Sequence, residues 1–149
     1  MKIEEEIKGR FRNDYHKGMI NLTFTANLMN HEFLQFLKEH GVTAQQYNIL
    51  RVLRGYRPKG PFTIGFLKER MLDRYSDVSR IVDKLYLRGL VERKECSTDR
   101  RQKDIEITEK GLQLLSEMDE IEKKVDTLLT RLNKEEIIEL NRILDKIRG

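Results

Sequence analysis

Ser76-Asp77-Val78-Ser79-Arg80-Ile81-Val82-Asp83-Lys84-Leu85 is the stretch on which the reading of this chain turns. Val78, Ile81, Val82 and Leu85 fall at i, i+3, i+4 and i+7, which is one face of an α-helix. The other face carries Asp77, Ser79, Arg80 and Lys84, side chains of the kind that hydrogen-bond base edges and phosphates. Ser76 stands where an N-cap belongs. The helix N-terminus formed there favours anions. By itself this pattern is an ordinary amphipathic surface helix, and its neighbours change that reading.

Just upstream, Thr63 caps a short helix with Ile64, Leu67 and Met71 inward, and Leu72-Asp73-Arg74-Tyr75 breaks it from the Ser76 helix. Two short helices joined by a tight turn, the second with a polar outer face, predict a helix-turn-helix. Downstream, Arg88-Gly89-Leu90 ends the second helix. Val91 to Cys96 and Lys103 to Thr108 read as two strands, with the alternation clearest at Ile105 and Ile107. The polar turn between them runs from Ser97 to Gln102. A hairpin placed directly after a helix-turn-helix is a wing, and Arg93, Lys94, Arg100, Arg101 and Lys103 make it basic.

Working outward, Thr43 and Gln46 form a capping box for a helix whose buried side is Tyr47, Ile49, Leu50 and Leu53. Residues 55–62 hold both prolines and two glycines and read as a connector. A helix from about Lys17 to His40 carries a stripe of Ile20, Phe24, Leu28, Phe33, Phe36 and Leu37, with Gly41 as its stop. Ile3, Ile7, Phe11 and Tyr15 are each four apart. They read as a terminal arm, either a separate short helix or a ragged start to the next one, that needs a partner surface.

After the wing, Leu114, Met118, Ile121, Val125, Leu128 and Leu132 are spaced 4, 3, 4, 3, 4, a heptad-like seam on one long helix from Glu109. Asn133 and Glu136 form a capping box for a last helix with Ile137, Leu140, Leu144 and Ile147 on one side. A small winged domain does not need this much extra apolar helix. The expected use is a dimer interface shared with the N-terminal helices, through Phe11, Tyr15, Leu128, Leu132, Ile137, Leu140, Leu144 and Ile147. The alternative is packing onto the same chain.

The chain of 149 residues is 36% charged with a net charge of +4, which suits one helix-rich domain and permits a nucleic-acid partner without requiring it. The expected organisation is an N-terminal helical segment over 1–40, the winged helix-turn-helix over 41–108 and a C-terminal helical segment over 109–149. One cysteine excludes a disulfide within the chain. Arg93 and Lys94 would lower the Cys96 pKa if they approached it; the plainer reading is a bystander thiol. No apolar run approaches a membrane span and no signal peptide is recognisable, so the expected location is cytoplasmic and no membrane partner is expected. His16, His31 and His40 are scattered without metal-ligand spacing, so neither a metal nor a cofactor is expected. Without a Gly-rich phosphate loop, a nucleophile elbow or an HExxH, the chain does not read as an enzyme.

The sequence resembles the MarR family of bacterial transcriptional regulators from about Lys17 to Lys146. The resemblance is carried by Thr43 to Arg51, by Ser76 to Leu85, by Arg88-Gly89-Leu90-Val91-Glu92-Arg93, by Asp99-Arg100-Arg101 and by Ile107-Thr108-Glu109-Lys110-Gly111. It implies a homodimer with a winged helix-turn-helix at each lower corner. It also implies a pseudo-palindromic double-stranded DNA operator, usually repression, and often release by a small aromatic effector. It implies that Asp99 pairs with an arginine, Arg101 first, and so stiffens the wing tip. A winged-helix module that binds protein rather than DNA is the alternative.

On the DNA reading, Asp77, Ser79, Arg80 and Lys84 face the major groove, with Arg74 and Ser76 nearer phosphate. Arg80 is the candidate for a bidentate guanine contact, worth ~1–3 kcal/mol of discrimination. Asp77 either accepts from a cytosine amino group or caps the helix, with capping favoured. Arg100 or Arg101 enters the adjacent minor groove. Thr43 and Gln45 are phosphate contacts or routine capping residues.

Overall fold

The computed structural model describes residues 1–95, 98, 99 and 101–149, and the side chains of these except 121 and 125. The wing arginine Arg100, the Cys96 thiol, Ser97 and the seam positions Ile121 and Val125 therefore lie outside what is described. The chain is mainly helical: α1 (Ile3–Ile7), α2 (Asp14–Glu39), α3 (Ala44–Gly55), α4 (Ile64–Lys68), α5 (Val78–Leu87), β1 (Val91–Glu95), β2 (Lys103–Ile107), α6 (Glu109–Leu129) and α7 (Lys134–Arg148). By its contacts it divides into two units, Phe36–Lys123 and Met1–Gln35 with Lys124–Gly149.

The 36–123 unit holds the winged helix-turn-helix. Thr43 and Gln46 cap α3 reciprocally, and Thr63 caps α4 by accepting from the Phe66 N–H, both as the spacing predicts. Leu37, Ile49, Leu50, Leu53, Leu67, Val82, Leu85, Leu90, Val91, Ile105, Leu115 and Met118 are almost fully enclosed. The core thus draws on α2 through α6 and on both strands. β1 and β2 pair antiparallel with Val91 opposite Ile107 and Arg93 opposite Ile105. The connector does more than connect: Phe62 exchanges both main-chain hydrogen bonds with Ile105, at 3.1 and 2.7 Å, and borders β2 as a one-residue bridge.

Two expectations about helical faces are corrected. The 3-7-11-15 stripe does not lie on one helix. α1 ends at Ile7, Lys8 turns into the left-handed region at φ 54°, and α2 starts only at Asp14, with Asn13 Oδ1 accepting from the His16 N–H. On α6 the enclosed residue is Leu115, not Leu114, which is half-buried. Gly111 explains the rotation. A Cβ there would lie 2.5 Å from the Leu90 carbonyl oxygen and 2.7 Å from Ile107 Cγ1. Only a glycine lets the helix backbone come this close, and this docking turns Leu115 and Met118 inward.

In the other unit Ile3 is buried, and Lys17 is paired with Glu4, which holds the Glu4 carboxyl below its ordinary range. Asn133 and Glu136 cap α7 reciprocally. No residue of α7 is buried. Tyr15, Met19, Leu22, Leu28, Leu34, Ile138, Ile143 and Ile147 are exposed. Leu28 was expected to face a core and is 52% exposed.

Candidate nucleic-acid interface

α5 is held by its apolar face. Val78, Val82 and Leu85 are buried, and Ile81 is half-buried. That leaves Asp77, Ser79, Arg80 and Lys84 exposed on the outer side, with Arg74 exposed in the turn before it. The cap is shifted by one residue from the expected place. Asp77 is the N-cap, its Oδ1 accepting from the Arg80 N–H at 3.2 Å. Ser76 is used by the turn: its N–H donates to the Asp73 carbonyl at 3.2 Å, and its hydroxyl is enclosed without a hydrogen-bond partner among the described residues. The turn is fixed further by Tyr75 N–H donating to Asp73 Oδ1 and by Leu72 N–H donating to Asn48 Oδ1 on α3, both at 2.9 Å.

The far end of α5 is closed by groups from the next helix. Gly89 takes φ +71°, and the Leu90 N–H returns to the Leu85 carbonyl at 3.0 Å, an αL termination of the kind glycine favours. Thr108 Oγ1 donates to the Gly89 carbonyl and Lys110 Nζ to the Arg88 carbonyl, at 2.7 and 2.9 Å. Thr108 Oγ1 also accepts from the Gly111 N–H, capping α6. The run from Ile107 to Gly111 thus locks β2, α5 and α6 together.

At the wing tip, the Asp99 carboxylate accepts from the main-chain N–H of Arg101 at 2.9 Å, and the Gln102 N–H donates to the Asp99 carbonyl at 3.1 Å. Among the described residues the expected Asp99 pairing with the Arg101 guanidinium is replaced by this main-chain turn, which leaves the Arg101 side chain exposed. Arg101 and Lys103 share a groove of about 480 Å³ with Ser79 and Asp83 of α5 and Thr63 before α4. Helix and wing residues foreseen separately are therefore brought together.

The other foreseen residues are placed unevenly. Lys94 and Lys103 are exposed. Arg93 points back to α5, where it pairs with Asp83. Thr43 is exposed while its hydroxyl caps α3, and Gln45 beside it is half-buried. In the other unit, Phe11, Leu128, Leu132, Ile137, Leu140 and Leu144 are half-buried, and Tyr15 and Ile147 are 91% and 66% exposed. Tyr75 and Leu72, 98% and 90% exposed beside Arg74, were not foreseen. Their position in the break between the two helices was the available signal.

Behind this surface, α3 is fastened to α6. Glu122 accepts from the Tyr47 hydroxyl at 2.8 Å and pairs with Arg51 at 2.7 Å, and Arg54 pairs with Asp119 at 2.8 Å. Burial, then the bond to Glu122, pushes the Tyr47 phenol well above its ordinary pKa. Among the described residues no group of His, Cys, Asp or Glu could hold a metal, and no helix is long and apolar enough to cross a membrane.

A capped helix-turn-helix followed by a two-stranded basic hairpin defines a winged helix-turn-helix protein. Residues 40–102 match the family model described as MarR family. The chain is 27% identical over 132 residues, covering 88% of it and 89% of the relative, to the HTH-type transcriptional regulator MhqR of Bacillus subtilis (strain 168). Its fold is similar to that of S. aureus MepR in a DNA complex, with TM-score 0.77, 22% identity, and 93% and 97% of the two chains covered. It is equally similar to the organohalide-sensing regulator RdhR-CbdbA1625 in its 2,4-dichlorophenol-bound form, with TM-score 0.77, 22% identity, and 95% and 86% covered. Over residues 40–102 the winged helix-turn-helix of this chain is thus similar to the MarR family, and the relatives MhqR and RdhR-CbdbA1625 are transcriptional regulators.

Proposed function

We propose that this protein is a homodimeric repressor that binds a pseudo-palindromic DNA operator in the cytoplasm and is released by a small aromatic effector. The observation that carries the DNA reading is the exposed row Asp77, Ser79, Arg80 and Lys84 on α5, with Arg101 and Lys103 across one groove from it. In this reading α5 enters the major groove, with Arg80 reading guanine and Lys84 beside it. Arg101 reaches the neighbouring minor groove, and Arg74, Lys94 and Thr43 contact phosphate. Asp77 is assigned as a cap, since its Oδ1 accepts from the Arg80 N–H at the start of α5. Ser76, with its hydroxyl enclosed, is withdrawn as a phosphate contact.

The dimer is supported by the apolar residues left exposed on α2 and α7. Two copies of α5 then meet half-sites about one helical turn, ~34 Å, apart. The effector reading is supported by the similarity to a regulator crystallised with 2,4-dichlorophenol. Footprinting on the DNA flanking the protein's own gene is the test. A symmetric protected site, lost in Arg80→Ala and Arg101→Ala, is expected. Protection unchanged in both variants would remove the assignment. A thermal-shift screen of phenols and aromatic acids, followed by competition against bound DNA, tests release.

A further inference from the structure

Arg93 belongs to the wing by charge but not by geometry. Its guanidinium pairs with Asp83 of α5 and lies over the Tyr86 ring, 4.1 Å from the centroid. Asp83 and Tyr86 are three apart on α5 and so share a face. One side chain of β1 is therefore gripped at two points by the recognition helix. The Arg93 side chain is 25% exposed, against 58% for Asp83, so the cation is the more enclosed partner. Across the hairpin Arg93 is opposite Ile105, which is fully buried and is bonded to Phe62. The strand pair is thus seated on the core at Ile105 and tied to α5 at Arg93.

We infer that Arg93 is a positioning residue: the Asp83–Arg93–Tyr86 clamp sets the wing against the recognition helix, and Arg93 makes no phosphate contact of its own. This rests on the reading that α5 and the wing bind DNA together. It also gives Asp83 a role opposite to the one its charge suggests. A carboxylate on a DNA-facing helix repels phosphate, so removing its charge should tighten binding if charge were all that mattered. If it holds the clamp, removing it loosens the wing and weakens binding.

The experiment uses the full chain, Asp83→Asn, Arg93→Met, the double variant and Arg93→Lys, with a duplex of about 30 bp, long enough for two half-sites, selected from random sequence by the unaltered protein. About tenfold weaker binding is expected for each single variant. The double variant should be no weaker than either, because the residues act as one unit, and Arg93→Lys should recover part of the loss. The slope of log K against log salt should be the same in Asp83→Asn and Arg93→Met, since both act only through the wing. Tighter binding by Asp83→Asn, or a slope reduced by about one in Arg93→Met and not in Asp83→Asn, overturns the clamp. A second readout needs no DNA. Hydrogen exchange of the amides in Val91–Glu95 and Lys103–Ile107 should quicken in both single variants while α3 stays protected. Unchanged exchange in the hairpin overturns the clamp. If the unaltered protein selects no duplex, the DNA reading fails, and hydrogen exchange alone decides the clamp.

Discussion

The two units treat the same kind of apolar helix differently. In the 36–123 unit, residues at helical spacing such as Leu50, Leu67, Val82 and Leu85 are sealed from water. In the unit made of the two chain ends, Ile143 and Ile147, four apart on α7, and Met19 and Leu22, three apart on α2, remain exposed. Apolar periodicity names a face that wants covering and does not say what covers it. The winged unit finds its cover in β2, the bridge at Phe62 and the first turns of α6. The terminal helices have apolar surface to spare, which a second copy of the chain would bury.

The largest effect should come from challenging that surplus. Ile143→Glu with Ile147→Glu should give a monomer by sedimentation and weaken operator binding by roughly 10²–10⁴-fold, since two linked half-site contacts become one. The circular dichroism of the winged unit should persist. A dimer of undiminished strength would show that these side chains are not the interface.

In the winged unit the expected response is in folding instead. Leu50→Ala, at a site with no exposed surface, should cost about 2–5 kcal/mol in urea unfolding. Ile138→Ala should cost less than about 0.5 kcal/mol at concentrations where the protein is monomeric. Similar losses at the two sites would erase the contrast. Gly111→Ala should cost about 1–3 kcal/mol, because the added methyl meets a backbone carbonyl that cannot swing away.

Smaller still is the cap exchange. Asp77→Ala should cost about 0.5–2 kcal/mol. Ser76→Ala should be neutral or slightly stabilising, as its enclosed hydroxyl has no hydrogen-bond partner among the described residues. The reverse order would return the cap to Ser76. The last effect is confined to high pH. The Tyr47 phenol is raised in the folded protein by burial and by Glu122. Its contribution is therefore complete below the unfolded value near ~10 and is lost as pH rises beyond it. Tyr47→Phe should flatten the fall in stability between about pH 10 and 11. An unchanged slope would remove Tyr47 from the alkaline transition.

Much of the interface was legible because its determinants are local. The caps at Thr43, Thr63 and Asn133, the apolar face of α5 and the hairpin each depend on residues within a few positions of one another. What was misplaced depends on contacts distant in sequence or on competition between neighbours. Ser76 and Asp77 are both good caps, and the turn at Asp73 claimed the first, so the helix starts at the second. Arg93 reads as one more basic wing residue until the hairpin folds back and sets it against Asp83.

The sequence by itself determined most of the helical segments, where α3, α4 and α7 begin, and that one helix presents a polar, cationic face beside a basic hairpin. Those follow from spacing and capping, which operate over one or two turns of chain. Only the tertiary structure decided which side of α6 is inward, that Phe62 borders the sheet, and that Arg93 is drawn back to α5. Each of these depends on close approach between segments far apart in the chain. The approach at Gly111 sets α6, the hydrogen bonds to Ile105 fix Phe62, and the opposite charge at Asp83 takes Arg93.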